Sequence, residues 1–188
     1  MQSFGDIVAP SFAKQSFSRF MLRELRSDHA GEMGAVYIYK GVLAVTRDAR
    51  VRNFAHNHLA TEIQHLYFFD QWLPSNQHSK LIALWKLSGF LLGALSALMG
   101  KKALFITIAA VETFVVKHYA QQINYLQTQG SQEEQALLPI LEQLQAEEQH
   151  HRDDAEGRLM PNGPLAKLWC AVVAVSYTHL TLPTKLEV

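Results

Sequence analysis

The sequence contains almost no cysteine and has no excess charge of either sign. Its one cysteine, Cys170, excludes an internal disulfide and a cysteine-rich zinc or iron–sulfur site. Lys plus Arg and Asp plus Glu both number 17, so the formal net charge is zero. Because nucleic-acid binding typically draws on a basic surplus, we expect no nucleic-acid partner.

The segment Leu87–Gly100 is apolar and uncharged, but it is too short for a membrane-spanning helix. A spanning helix needs roughly 20 predominantly apolar residues, and this segment has fewer. It suits either a buried core helix or a helix that lies in the membrane interface. We name Trp85, Leu91, Leu92 and Leu95 as candidates for membrane contact, together with Leu98 and Met99.

The chain reads as all-helical, because glycine and proline are sparse inside its long segments and no stretch alternates at period two. We predict helices over about 17–46, 48–72, 79–99, 101–129, 131–157 and 164–174. Gly100 separates the third helix from the fourth. Ser131 and Glu134 have the spacing of a capping box, and Pro139 is expected to kink or restart the fifth helix.

These elements predict one domain over residues 17–174, preceded by a lead segment at 1–16. Residues 175–188, VSYTHLTLPTKLEV, do not continue the amphipathic pattern. They resemble a translated sequencing adapter, so we expect them not to be native. An ordinary tail is the alternative.

Glu-x-x-His is the pattern that carries chemistry in this sequence. On a helix, residues three apart point the same way, so a carboxylate and an imidazole can chelate one metal ion. The chain has three such pairs: Glu62–His65, Glu147–His150 and Glu148–His151. The last two overlap, so only one of them can face the core.

Two further glutamates complete a candidate ligand set. Glu112 is the only charge in ALFITIAAVETFVV, and a lone buried carboxylate needs a metal ion, a partner or a proton. Glu32 lies among small residues in DHAGEMGAVYIY, where helices can approach closely. Taken alone, either glutamate is also compatible with a position on the surface.

The order of these residues repeats one unit twice: a helix with one Glu, then a helix with Glu-x-x-His. Glu32 precedes Glu62–His65, and Glu112 precedes Glu147–His150. Four carboxylates and two histidines from four helices are typical of a ferritin-like four-helix bundle with a di-iron or di-manganese centre. Oxygen and imidazole ligands suit iron or manganese. We therefore predict an all-α bundle with a dinuclear centre and an additional apolar, membrane-interacting helix pair.

Several motifs strongly resemble the demethoxyubiquinone hydroxylase family of quinone biosynthesis over about residues 18–174. They are RSDHAGEMGA from Arg26, EIQH from Glu62, GFLLGALSALMGKKALF with Glu112, the pair His118–Tyr119, and EEQHH from Glu147. The resemblance implies two iron ions held by Glu32, Glu62, His65, Glu112, Glu147 and His150. Arg152 departs from the Asp that many members have after the two histidines.

The resemblance also implies the reaction and the partners. The family uses O2 to hydroxylate the ring of a methoxy-substituted polyprenyl benzoquinol, and it associates with the membrane that holds this substrate. We therefore expect a peripheral membrane protein, on the cytoplasmic face of the inner or plasma membrane if bacterial. A lipid-presenting protein partner and a homo-oligomer are compatible with this expectation.

Asp28 and Tyr119 lie close to the candidate ligands in the sequence, and each could assist the site. Asp28 lies one turn before Glu32 and could orient a ligand histidine, or it could be a surface or capping residue. Tyr119 lies two turns after Glu112 and could relay an electron and a proton from bound quinol, or it could be a core tyrosine. We assign neither His118 nor His151 to the metal ions.

Three other readings stay open at this point. A ferritin-like iron-binding or ferroxidase protein would use the same ligands. A hydroxylase of modified tRNA would share the chemistry, although zero net charge speaks against it. A metal-free structural bundle would leave Glu112 and the repeated unit unexplained.

Overall fold

A computed structural model describes residues 10–14 and 16–159, and residues 169, 171, 173, 175, 178, 179 and 181–185 toward the C-terminus. Its α-helices are α1 Arg19–Val45, α2 Ala49–Trp72, α3 Ile82–Leu98, α4 Lys101–Thr128, α5 Gln132–Gln135 and α6 Leu138–Gly157. Short 3-10 helices lie at Phe12–Lys14 and Ser75–Gln77. The described residues contain no strand.

The long helices α1, α2, α4 and α6 form a four-helix bundle in which α1 packs on α2 and α4 packs on α6. Its apolar core consists of two clusters. One is built around Ile38, Phe54 and Leu104, and the other around Leu25 and Leu144. Along each of these four long helices, buried carboxylates and histidines lie between the residues of the two clusters. The bundle therefore has a polar middle enclosed by apolar layers.

Helix α3 lies against α1 at backbone contact distance. A Cβ atom added to Gly93 would lie 1.9 Å from the carbonyl oxygen of Ile38, and one added to Gly89 would lie 2.3 Å from that of Gly34. A Cβ atom added to Gly41 would lie 2.1 Å from the carbonyl oxygen of Phe90. These glycines are required because a side chain at any of them would push the two helices apart.

The opposite face of α3 carries a row of exposed apolar side chains. Its members recur at helical spacing along one stripe: Leu84, Leu87, Leu91, Leu95 and Leu98, with Met99 just beyond the helix. The prediction that Trp85 and Leu92 belong to this exposed surface was wrong. Trp85 is buried, and Leu92 packs against the core, because both lie on the side of α3 that faces the bundle.

The sequence-based prediction of an all-helical bundle is confirmed. The capping box of Ser131 and Glu134 is present, and the chain restarts as α6 with Pro139 near its first turn, where no N–H is needed. Gly100 precedes α4 with φ 104°, a conformation that favours glycine. The predicted helix over about 164–174 lies mostly outside the described residues.

Among the helices that the structure describes, α4 alone is long and apolar enough to cross a membrane by length and composition. About half of its most apolar window, 56%, is buried inside the bundle. It also carries the buried Glu112. We therefore interpret α4 as a core helix of the bundle.

Candidate metal centre

The middle of the bundle collects six buried ionisable side chains from four helices. They are Glu32 from α1, Glu62 and His65 from α2, Glu112 from α4, and Glu148 and His151 from α6. Each has at most 3% of its surface exposed. Burying so many charges is costly unless they are paired or bind metal ions, so the arrangement needs a compensating partner.

These side chains form two overlapping clusters, each able to surround one metal ion. The first contains Glu32, Glu62, His65 and Glu148, and the second contains Glu62, Glu112, Glu148 and His151. Within each cluster the ligand atoms all lie within 4.8 Å of one another. Glu62 and Glu148 belong to both clusters, so each could be a ligand of both ions if two were bound, whereas each of the other members belongs to one cluster.

In the first cluster, Nδ1 of His65 lies at the centre of three carboxylates. It is 3.0 Å from Oε1 of Glu148, 3.4 Å from Oε2 of Glu32 and 4.0 Å from Oε2 of Glu62. These separations are close to those between ligand atoms that share one ion at about 2.0–2.2 Å.

The second cluster repeats this arrangement around Nδ1 of His151. This nitrogen is 2.9 Å from Oε1 of Glu62 and 3.3 Å from Oε2 of Glu148. Glu112 completes the set from α4. The two clusters thus have the same composition: one imidazole, one terminal carboxylate and the two shared carboxylates.

The predicted ligand pair on α6 was wrong by one residue. Glu148 and His151 enter the clusters, whereas Glu147 is half-buried and His150 is exposed. One residue on a helix is a rotation of about 100°, so the two overlapping pairs cannot both face the core. The buried apolar positions Leu141, Leu144 and Ala155 continue the spacing of Glu148 and His151.

Glu147 nevertheless contacts the site from outside. Its Oε2 lies 2.7 Å from Nε2 of His65, and Gln143 donates to its other oxygen. A carboxylate on the far nitrogen of a ligand histidine fixes the tautomer and orients the ring. Glu147 therefore leaves Nδ1 of His65 directed at the carboxylate cluster.

Two tyrosines bind the terminal carboxylates across the bundle. Tyr119 of α4 donates to Oε1 of Glu32 over 2.7 Å, and Tyr39 of α1 donates to Oε1 of Glu112 over 3.2 Å. Each tyrosine lies seven residues after the glutamate on its own helix and reaches the glutamate of the other. Tyr119 was a candidate from the sequence and Tyr39 was not, although each lies seven residues after a glutamate of its own helix.

Asp28 does not orient a candidate ligand histidine, so this predicted role was wrong. Its Oδ1 lies 2.9 Å from Nε2 of His118 and accepts a hydrogen bond from Gln122 over 2.8 Å. Asp28 lies one turn before Glu32 on α1, and its carboxylate contacts His118 and Gln122 of α4. His118 itself belongs to neither cluster.

His58 was also missed by the sequence-based analysis. Its ring lies edge-on to His151 at 4.4 Å between centroids, and its Nε2 is 2.9 Å from Oδ2 of Asp154. Burial, followed by the charge of His151, lowers the pKa of His58 to about 4. A neutral His58 therefore packs against His151 without adding charge. The sequence contained a sign of this role, because His58 lies one turn before Glu62 and so falls on the same buried face of α2.

The electrostatics of the site favour proton retention when no metal ion is bound. Burial and then the charge of Glu148 raise the pKa of Glu62 to about 8, and the same two causes raise the pKa of Glu112 well above its usual value. Burial lowers the pKa of His65 and His151, but the surrounding carboxylates outweigh it and raise both pKa values. Divalent cations would displace these protons.

The donor set fits two divalent cations. Oε2 of Glu62 and Oε2 of Glu112 are buried and accept no hydrogen bond from any residue that the structure describes. A metal ion supplies the partner that such orphaned carboxylate oxygens lack. Four carboxylates balance the charge of two divalent ions, and a ligand set of oxygen and imidazole suits iron or manganese.

A pocket reaches the centre between α1 and α4. Its wall includes the candidate ligands Glu32, Glu112 and Glu148, the side chain of Tyr119, and apolar residues such as Phe114 and Trp85. Thr181 lies at the same pocket, close to where Trp85 donates to Thr184 over 2.9 Å. A small molecule in this pocket would lie beside the candidate ligands Glu32, Glu112 and Glu148.

A four-helix bundle with Glu-x-x-His on two helices and one glutamate on each of the other two defines the ferritin-like class of dinuclear carboxylate proteins. The comparison with known families is more specific. Residues 19–179 match the family described as ubiquinone biosynthesis protein COQ7, and the chain belongs to this family.

Individual relatives agree with this assignment. The chain is 34% identical over 150 residues to the mouse NADPH-dependent 3-demethoxyubiquinone 3-hydroxylase, mitochondrial, covering 77% of this chain and 69% of the relative. It is 38% identical over 135 residues to the 3-demethoxyubiquinol 3-hydroxylase of Rhodospirillum rubrum, covering 70% and 61%. The Legionella pneumophila protein of the same name is 28% identical over 156 residues, covering 82% and 70%. The alignments thus span 61% to 70% of these relatives.

Proposed function

We propose that this chain is an oxygen-dependent di-iron monooxygenase that hydroxylates the ring of a demethoxyubiquinol. The observation that carries the proposal is the pair of clusters that share Glu62 and Glu148 beside a pocket. The names of the curated relatives supply the substrate class, and the family supplies the pathway of ubiquinone biosynthesis.

The stoichiometry of the reaction sets what the site must do. One atom of O2 enters a ring C–H bond as a hydroxyl group, and the other leaves as water, which consumes two electrons and two protons. Two bound iron ions would supply the redox chemistry, and the protein supplies ligands, orientation and a dry pocket. The names of several relatives include NADPH, so NADPH is the reductant to test first.

Tyr119 is the residue best placed to serve a quinol in the pocket. Its side chain lines the pocket, and its hydroxyl donates to Glu32. Burial and then the charge of Glu32 raise its pKa well above the usual value, so the phenol keeps its proton. We propose that it links the ring of the quinol to the metal cluster and relays a proton and an electron.

The exposed stripe of α3 suits contact with a membrane. Five leucines recur at helical spacing on α3, which begins five residues before the uncharged stretch Leu87–Gly100. Lys86, Lys101 and Lys102 lie next to the two ends of that stretch. Apolar side chains flanked by lysines are typical of helices that lie in the membrane interface. We propose peripheral membrane binding, which would deliver a lipid-soluble quinol, with or without a lipid-presenting protein.

The test is a turnover assay with iron-loaded protein. Full-length chain is reconstituted with ferrous iron without oxygen, mixed with a short-tailed demethoxyubiquinol and a reductant, and exposed to O2. We expect hydroxylated quinol, and we expect Glu112→Ala to stop turnover by removing the terminal ligand of one ion. Hydroxylated product from Glu112→Ala at the wild-type rate would contradict the proposal.

The same assay distinguishes the proposed hydroxylase from a ferritin-like ferroxidase. A ferritin-like iron-binding protein would oxidise ferrous iron and consume O2 without forming hydroxylated quinol. Iron oxidation without product, in protein that holds two irons per chain, would therefore contradict the hydroxylase and favour the alternative.

A further inference from the structure

A third group of metal-binding side chains lies outside the dinuclear centre. His29 of α1, Asp70 near the end of α2 and His78 just after the 3-10 helix Ser75–Gln77 each place a ligand atom within 4.8 Å of the others. None of these residues belongs to the two carboxylate clusters. We infer that His29, Asp70 and His78 form a separate binding site for one divalent cation of the Zn²⁺ type.

The first pair of ligands is already at a suitable distance. Nε2 of His29 lies 2.9 Å from Oδ1 of Asp70. Two ligands bound tetrahedrally to zinc at about 2.0–2.1 Å are themselves separated by roughly 3.3 Å. An ion can therefore enter between these two atoms after a movement of a few tenths of an ångström.

His78 is held in the orientation and tautomer that a metal ligand needs. Its Nε2 lies 2.9 Å from the carbonyl oxygen of Leu73, an acceptor that requires a proton on Nε2 and leaves the lone pair on Nδ1. Ligand histidines commonly donate their second nitrogen to a backbone carbonyl in this way. Arg26 fixes the same segment by donating to the carbonyl oxygen and to Oε1 of Gln77.

His29 is buried beside the proposed site, and its Nε2 has Asp70 as its hydrogen-bond partner when no ion is bound. The ring centroids of His29 and His78 are 4.0 Å apart.

The composition of the set suits Zn²⁺. Two imidazoles and one carboxylate with a fourth position for water match a tetrahedral zinc site. The side chain of Asp70 is 42% exposed, so the ion can enter from solvent and water can occupy the fourth position. A bound ion would fasten α1, α2 and the connection into α3 together.

The test counts metal ions in the full chain and in two matched variants. Metal-free protein is loaded with ferrous iron without oxygen and dialysed against Zn²⁺, and iron and zinc are then measured per chain. His78→Gln removes one proposed ligand. His56→Gln removes an exposed histidine of α2 that belongs to none of the three groups and serves as the control.

We expect total metal in His78→Gln to be one ion per chain lower than in the wild type, and His56→Gln to equal the wild type. Zn²⁺ should also raise the melting temperature of the wild type by more than that of His78→Gln. Asp70→Asn, a change at an exposed side chain, should reproduce the loss without affecting folding. Equal metal content in the wild type, His78→Gln and Asp70→Asn would overturn the inference. The iron content of the wild type before zinc is added reports on the dinuclear centre alone. Two irons per chain at that stage would show that the dinuclear centre is intact even if no zinc site is found.

Discussion

Tyr119 and Glu32, which are 87 residues apart in the chain, are joined by a 2.7 Å hydrogen bond between α4 and α1. Tyr39 and Glu112 form the reciprocal bond in the opposite direction. The two halves of the bundle thus exchange equivalent contacts, each from a tyrosine seven residues after a glutamate. The difference between them is the pocket, which Tyr119 lines and Tyr39 does not.

This difference predicts unequal effects of removing the two hydroxyl groups. Tyr119→Phe and Tyr39→Phe should each lower the free energy of unfolding by about 1–3 kcal/mol, because each leaves a buried carboxylate short of a donor. Only Tyr119→Phe should also lower kcat by an order of magnitude or more, since Tyr119 lines the pocket that we propose binds the quinol. Denaturant unfolding and quinol turnover measure the two effects, and equal falls in kcat would contradict the assigned role.

The stability of the metal-free protein should fall as the pH rises. The pKa of Glu62 is raised from 4.5 to about 8, so the folded state holds a proton that the unfolded state releases above about pH 4.5. The raised pKa values of Glu112, His65 and His151 act in the same direction. The lowered pKa of Glu148 acts oppositely, but only below about pH 4.5. The lowered pKa values of His58 and His29 also act oppositely up to about pH 6.5, where the four raised groups outnumber them.

Bound metal should reverse this dependence, because divalent ions displace the retained protons and bind more tightly as the pH rises. Urea unfolding of metal-free and Mn²⁺-loaded protein between about pH 5.5 and 7.5 tests both directions. The unfolding midpoint should decrease with pH for the first sample and increase for the second. A midpoint that increases with pH in the metal-free sample would refute the proton assignment.

Membrane binding should depend on the leucine stripe of α3. Replacing Leu91 and Leu95 together with serine removes two exposed apolar side chains, each worth about 1.5–3 kcal/mol when buried. We expect the variant to lose flotation with liposomes. The matched control replaces Ile63 and Tyr67, which are equally exposed on α2, and should float like the wild type. Flotation of the Leu91/Leu95 variant at the wild-type level would exclude α3 as the contact.

The close contact of α3 with α1 predicts opposite effects for two glycine substitutions. Gly93→Ala would place a methyl group 1.9 Å from the carbonyl oxygen of Ile38, so the helices must separate, at a cost of roughly 1–3 kcal/mol or more. Gly31→Ala on α1 meets nothing within 4 Å and should raise stability by up to about 1 kcal/mol. Thermal unfolding compares the two variants, and equal melting temperatures would contradict the packing described for α3.

Much of the bundle was readable from the sequence because the relevant signals are local. The capping box of Ser131 and Glu134 and the helix restart at Pro139 depend on neighbouring residues, and both are present. The register of α6 is different, because two overlapping Glu-x-x-His pairs satisfy the same motif. The apolar positions Leu141, Leu144 and Ala155 held the decisive information, since the buried face of a helix continues through them to Glu148 and His151.

Other features depend on tertiary structure that no motif specifies. His78 reaches His29 only because the chain turns after α2 and is fixed there by Arg26. Asp28 pairs with His118 because α1 and α4 pack side by side, which sequence spacing does not reveal. The pairing of Tyr39 with Glu112 is of the same kind, although the repeated spacing of seven residues was present in the sequence.

The most direct test of the account is the iron content of two neighbouring variants on α6, Glu148→Ala and Glu147→Ala. Both change a glutamate to alanine, but only Glu148 belongs to both clusters. After anaerobic loading with ferrous iron, we predict two irons per chain in the wild type and in Glu147→Ala, the latter with weaker binding because His65 loses its orienting carboxylate. We predict fewer than one in Glu148→Ala. Two irons in Glu148→Ala and a loss in Glu147→Ala would contradict the metal centre described here.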